Sequence, residues 1–403
     1  MPLNLTIVLI LLGGWIFGKL FSKIGLPSVL GMLVWGVCIG VLWGDRIPAV
    51  VSDVEPFLKS FALIVILLRA GLGINRSTLR KAGLTAGLIS FIPCIIEGTV
   101  LTVLFLIVFG FDWAVAGLTG FMVAAVSPAV IVPSMLNLKD DGYGRENEVP
   151  TIVLAGASVD DVFAITVFTL FLQLATAGDV AVREVLFQVP LSLLLGIIPG
   201  IIAGFGLVLF FRKKHPNIRA TEKIIILLMI SVVLVQIGEW VQMAALLGVM
   251  TIGFILLEYE EKIAHEISEK LSSVWVVAEI VLFVLIGMSV NPVVAWNAGL
   301  RGIIVISIGL LFRSAGVLVA TIWSDLTLRE RFFCMIAFFP KATVQAALGG
   351  VALANGIGEG DTILAIAVLA IMFTAPMGLL GIKFGGKRLL TTQTCTGAKV
   401  QGT

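Results

Sequence analysis

Asp160 and Asp161 stand side by side in the middle of an apolar stretch running from Val149 to Gly178, and their nearest charged neighbours along the chain are Glu148 and Asp179. A carboxylate pair at bilayer depth is costly and persists only where it binds something, moves a proton or meets a fixed countercharge. Two adjacent carboxylates also repel, so at least one takes up a proton readily and gives it up when a cation arrives. That is the chemistry of cation-for-proton exchange. Glu97, Arg313 and Lys341 are further ionisable residues inside apolar stretches, with Arg69 and Glu279 as outlying candidates.

The elements that carry these groups must be membrane helices. The chain has 403 residues, 59% of them hydrophobic and 13% charged, with a mean hydropathy of +1.11. Those values lie far outside the range of soluble globular proteins. The apolar stretches are long enough to cross a hydrocarbon core of roughly 30 Å. They predict an all-α polytopic membrane protein of thirteen transmembrane helices at 3–21, 26–44, 55–74, 82–110, 112–138, 149–177, 183–211, 222–241, 243–258, 271–290, 298–323, 330–356 and 361–384. Nineteen lysines and arginines fall in or beside the segments after odd-numbered spans, the last of them Arg388, against four (Arg46, Lys59, Arg183 and Arg301) in or beside those after even-numbered spans. By the positive-inside rule the N-terminus is outside and the C-terminus cytoplasmic. His215 and His265 fall in cytoplasmic loops and read as solvated. The four cysteines, Cys38, Cys94, Cys334 and Cys395, show neither metal spacing nor a disulfide framework.

Two spans are interrupted near their middles. The fifth carries Ser127-Pro128-Ala129-Val130-Ile131-Val132-Pro133, and the twelfth carries Phe339-Pro340-Lys341-Ala342-Thr343-Val344-Gln345 followed by Gly349-Gly350. Proline removes a backbone donor and clashes with the preceding turn, so both helices should unwind locally. Seven spans separate them, an odd number, so they run in opposite directions. Paired broken helices point to an ion site in a transporter built from inverted repeats.

The same offset of seven pairs the fourth span, with Glu97, with the eleventh, with Arg313. Arginine keeps its proton in a protein, so Arg313 needs permanent compensation. Glu97 is its natural partner and Asp160 is another, and the expected role of Glu97 with Arg313 is a structural brace. Asp161 then remains as the exchangeable carboxylate. Its oxygens suit a hard cation such as Na⁺ or Li⁺, with Asp160, Ser158, backbone carbonyls or water completing the shell. Lys341 sits at a break, where it either offsets the carbonyl-end dipole of a half-helix or takes part in proton transfer.

At these residues the chain resembles the monovalent cation/proton antiporter superfamily. The likeness rests on Gly156-Ala157-Ser158-Val159-Asp160-Asp161, on Val126 to Pro133 and on Pro340 to Gln345. Together they look most like the NHA-type sodium/proton antiporters. The resemblance implies a NhaA/NapA-like antiporter fold, with inverted repeats and two discontinuous crossing helices, and a homodimer set in membrane lipids. It divides the chain into scaffold helices at 1–80 and 221–292 and ion-transport core helices at 81–178 and 293–385. A linker helix and basic loop occupy 179–220, and 386–403 is a short cytoplasmic tail. It implies elevator-type alternating access, with Asp161 as the ion- and proton-binding aspartate and Asp160 its neighbour. Arg313 stands where electrogenic bacterial antiporters commonly have a lysine, and the NHA subgroup pairs such an arginine with a glutamate like Glu97. The expected location is a bacterial inner (cell) membrane, with a part in pH homeostasis. No cofactor, nucleotide or nucleic-acid partner is expected, and the transported species would be Na⁺ (or Li⁺) and H⁺.

Exchange of potassium for protons on the same machinery is the principal alternative, because carboxylate chemistry does not separate the two ions. A passive cation channel would also use broken helices, but needs no buried arginine–glutamate brace. A symporter that held an organic anion on Arg313 would not place two aspartates beside it.

Overall fold

The computed structural model describes residues 2–391 apart from 74–75, 178–181, 215–217, 242 and 244. Helix follows helix through all of it. The helices are α1 (Leu3–Lys23), α2 (Ser28–Trp43), α3 (Ala49–Gly73), α4 (Arg76–Leu104), α5 (Trp113–Ala124) and α6 (Pro128–Asp140). Then come α7 (Val149–Ala177), α8 (Val182–Lys214), α9 (Ala220–Val241), α10 (Ala245–Tyr259) and α11 (Glu261–Met288). The last are α12 (Pro292–Ala320), α13 (Leu328–Ala337), α14 (Thr343–Leu348), α15 (Val351–Ala354) and α16 (Gly360–Leu389).

Among the described residues, nine helices are long and apolar enough to cross a membrane. Large apolar side chains cover the outside of the bundle, among them Leu300, Leu311, Met229 and Ile202, each more than 60% exposed. Water would not tolerate so continuous an apolar surface, whereas lipid requires it. Trp240, Trp296 and Trp323, exposed near helix ends, sit where indoles favour the membrane interface.

Several helices overrun the apolar windows of the sequence. Charge in water does not stop a helix; its capping groups do. Asn291 accepts hydrogen bonds from Val293 and Val294 and, with Pro292 at the first position, starts α12 earlier than hydropathy places it. At its N-terminal end α11 runs back to Glu261, so His265 lies on an exposed helical turn beside Glu261 and not in a loop. His215 lies outside the described residues. Gly83, with φ 59°, breaks the line of α4, so the fourth crossing runs from Gly83 to a π turn ending at Phe109.

Packing sorts the helices into two groups. In one, α11 lies against α2 and α3, and α10 against α3 and α8. The α2–α11 crossing is so close that a Cβ on Gly36 would fall 2.2 Å from the Val284 carbonyl oxygen, and one on Gly287 2.3 Å from that of Leu33. Small residues give membrane helices this approach, since apolar side chains gain little from leaving lipid. In the other group α4 packs on α5, α7 and α12, while α16 packs on α12 and α13. The two interrupted helices lie within this second group.

Candidate functional site

Each interruption leaves backbone groups that the bilayer cannot satisfy, and the two breaks satisfy one another. Helix α5 stops at Ala124 and α6 begins at Pro128, where a missing N–H costs nothing. Opposite, α13 stops at Ala337 and α14 begins at Thr343, with Pro340 between them. The Ser127 amide donates to the Pro340 carbonyl at 2.8 Å. The Thr343 amide donates to Ser127 Oγ, and the two hydroxyls lie 3.4 Å apart. The Lys341 amide donates to Thr374 Oγ1 on α16 at 2.9 Å. Gly378, one turn further along α16, admits the Pro340 ring: a Cβ there would lie 2.3 Å from it. Pro133 lies inside α6, one turn beyond its start, where it removes another donor.

The carbonyl end of α5 draws three donors from distant parts of the chain. Gln345 Nε2 reaches the carbonyls of Met122 at 2.8 Å and Ala125 at 2.9 Å. Lys341 Nζ and Arg313 Nη1 both donate to the Ala124 carbonyl, at 2.7 and 2.6 Å. Positive charge at the carbonyl end of a half-helix opposes its dipole. Gln345→Leu keeps the side chain's bulk and strands these carbonyls, so the protein should lose about 1–3 kcal/mol, read as an earlier thermal transition in detergent. An unchanged melting temperature would remove Gln345 from this role.

The charges converge on the same point. Arg313 donates from Nη1 to Glu97 Oε2 at 2.7 Å and from Nη2 to Asp160 Oδ1 at 2.6 Å. Lys341 Nζ adds a second bond to Glu97 Oε2 at 2.8 Å. Asp160 Oδ2 also accepts from the Val126 amide, inside the first break, at 3.1 Å. Glu97, Asp160, Arg313 and Lys341 are wholly buried, and the Phe338 ring lies under the guanidinium with 5.3 Å from Cζ to its centroid. Asp161 is 2% exposed and its Oδ1 has no hydrogen-bond partner. The side chain of Ser158 lies outside the described residues.

So the sequence-derived set divides. Glu97, Asp160, Asp161, Arg313 and Lys341 form one cluster at the crossing, framed by Ser127, Pro128, Pro340, Thr343 and Gln345. Arg69 and Glu279 lie apart from it, within electrostatic range of each other, with Arg69 Cζ 6.0 Å from the Trp275 ring. Sequence reasoning named no partner for Glu279.

A cavity of about 760 Å³ lies between the two helix groups, lined by α3, α7, the end of α11 and the turn joining α14 to α15. Its wall on α7 includes Ile165 and Thr166, one helical turn, or about 6 Å, beyond Asp161. Lys59 and Glu55 on α3 line it too, 2.5 Å apart. The sequence reading passed over this pair, although a glutamate four residues before a lysine is a helix-pairing signal.

Comparison with known proteins agrees with this architecture. Residues 7–384 match the family model described as "Sodium/hydrogen exchanger, transmembrane". Human sodium/hydrogen exchanger 9B2 is 34% identical over 402 residues, covering 94% of this chain and 73% of that protein. Sodium/hydrogen exchanger 9B1 of Macaca fascicularis is 30% identical over 377 residues, 91% of this chain and 73% of the relative. Among solved structures, the sodium proton antiporter MjNhaP1 from Methanocaldococcus jannaschii superposes with a TM-score of 0.74 at 20% identity, covering 95% of each chain. At that identity the superposition speaks for the fold alone. An integral membrane protein by its surface and its helices, the chain belongs to the transmembrane sodium/hydrogen exchanger family.

Proposed function

We propose that this chain is a secondary active antiporter that exchanges Na⁺ (or Li⁺) for H⁺, the two competing for Asp161 beside Asp160. One observation carries the reading: Asp160 is committed to Arg313 and to the Val126 amide, while Asp161 Oδ1 is buried without a partner. Within the cluster three acids, Glu97, Asp160 and Asp161, meet two bases, Arg313 and Lys341. With all five ionised, one negative charge remains, and a single monovalent cation or proton balances it. A buried charge left unbalanced is too costly to persist.

The reading extends to the whole chain. On this reading there are thirteen spans, with α5–α6 and α13–α15 each counted as one broken crossing, and the positive-inside count supports an N-terminus outside and a C-terminus in the cytoplasm of a bacterial cell. The helices at 81–178 and 293–385 act as the moving core, those at 1–80 and 221–292 as the scaffold of a homodimer, and 179–220 links the halves. Support comes from the packing of α4–α7 with α12–α16 and from the mutual satisfaction of the two breaks. The cavity between the groups supplies a water route to within a turn of Asp161 from one face.

The test is reconstitution. In proteoliposomes with an acidic lumen, external sodium or lithium should collapse the proton gradient in a dose-dependent way. A response to potassium alone would replace sodium as the substrate, and no response to any alkali cation would overturn the proposal.

A further inference from the structure

We propose that Glu55, together with the Ser289 hydroxyl, is a second binding site for a monovalent cation, set in the cavity on the way to Asp161. In the conformation described, the Lys59 ammonium fills it. This rests on the antiport reading above.

The donor set is that of a cation site. Glu55 Oε1 receives Lys59 Nζ at 2.5 Å and Ser289 Oγ at 2.9 Å, so one carboxylate oxygen already binds a monovalent cation next to a hydroxyl. Carboxylate and hydroxyl oxygens are also what Na⁺ or Li⁺ would choose. Glu55 retains 21% of its side-chain exposure, open to the cavity. Ser52, Thr166, Thr169 and Gln173 line the same space and could help to hydrate an ion. Among the described lining residues, Glu55 and Lys59 are the only ones that carry charge.

Lys59 lies where the two helix groups meet. Its side chain is 11% exposed, and Gly350 leaves room for the ammonium, since a Cβ there would lie 3.0 Å from Nζ. Gly350 follows α14, whose Thr343 and Gln345 tie the second break to the first. Lys59 and Ser289 belong to the helices read as scaffold, and Gly350 to those read as core. Sliding the core carries Gly350 away and opens room in which the ammonium, tethered to α3 together with Glu55, can turn aside for an incoming ion. A fixed lysine on a cation's route would otherwise only oppose entry.

Sodium KM measured separately from each face, in right-side-out and everted vesicles, tests this. Lys59→Met should lower KM at the cavity's face by about threefold to tenfold, the effect of removing a partly screened charge that competes for Glu55. The opposite face should keep its KM, and kcat should hold. Lys59→Arg should resemble the parent protein. Adding Glu55→Gln to Lys59→Met should bring KM back, because the attracting carboxylate is gone. An unchanged KM in Lys59→Met overturns the site, as does a low KM that survives in the double variant. Should Lys59→Met not fold, Glu55→Gln alone decides: a severalfold higher KM at that face is expected, and an unchanged one refutes. If the unaltered protein exchanges no cation, the antiport reading falls and takes this with it, a result distinct from exchange that ignores Lys59.

Discussion

Asp161→Asn should reduce sodium-driven collapse of a proton gradient to the level of protein-free vesicles. The substitution keeps the size and shape of the side chain and removes its capacity to hold either a proton or a negative charge. No neighbour can take over. Asp160 has its two oxygens occupied by Arg313 and the Val126 amide, and Glu97, whose Oε1 is unpartnered, is held by both Arg313 and Lys341 through Oε2. The variant should also melt no earlier than the parent, since it replaces a buried carboxylate that has an unpartnered oxygen. Loss of exchange with an intact thermal transition would separate a transport role from a structural one. Exchange at the parent rate would end the assignment of Asp161.

Arg313→Ala should produce the opposite pattern, a protein that fails first in stability. Arg313 is wholly buried and bonded to Glu97, Asp160 and the carbonyl end of α5. Truncating one member of a buried ion pair costs about 3–5 kcal/mol because the partner charge stays behind. Lys341 can still neutralise Glu97, but Asp160 has no second base at hydrogen-bond distance among the described contacts. Glu97→Ala should also destabilise, by less, because Arg313 keeps Asp160 and Lys341 keeps the Ala124 carbonyl. Adding Asp160→Asn to Arg313→Ala should recover part of the loss, a coupling that a double-mutant cycle measures. Normal melting of both single variants, or strictly additive effects, would refute the brace.

Part of this arrangement is legible from residue order. Prolines five apart in one apolar stretch, and Pro340 in another of opposite direction, locate both interruptions. The offset of seven spans sets Glu97 opposite Arg313, and the two meet at 2.7 Å. Hydropathy gives the apolar stretches but not where helices end, because Asn291 and the Thr327–Glu330 capping box, not solvent, fix the starts of α12 and α13. Contacts that depend on how two helices cross are silent in the sequence. Gln345 could not be assigned to the carbonyls of Met122 and Ala125, more than 200 residues earlier. Nor could Arg69 be matched with Glu279, or Lys59 with Gly350, since no periodicity links positions on different helices.

The bond from the Ser127 amide to the Pro340 carbonyl has a mechanical corollary. It joins the waist of one discontinuous rod to the waist of the other, so a swing of either costs that bond. With the Thr343 amide on Ser127 Oγ and Asp160 on the Val126 amide, the bonds tie both waists and the aspartate into one connected unit.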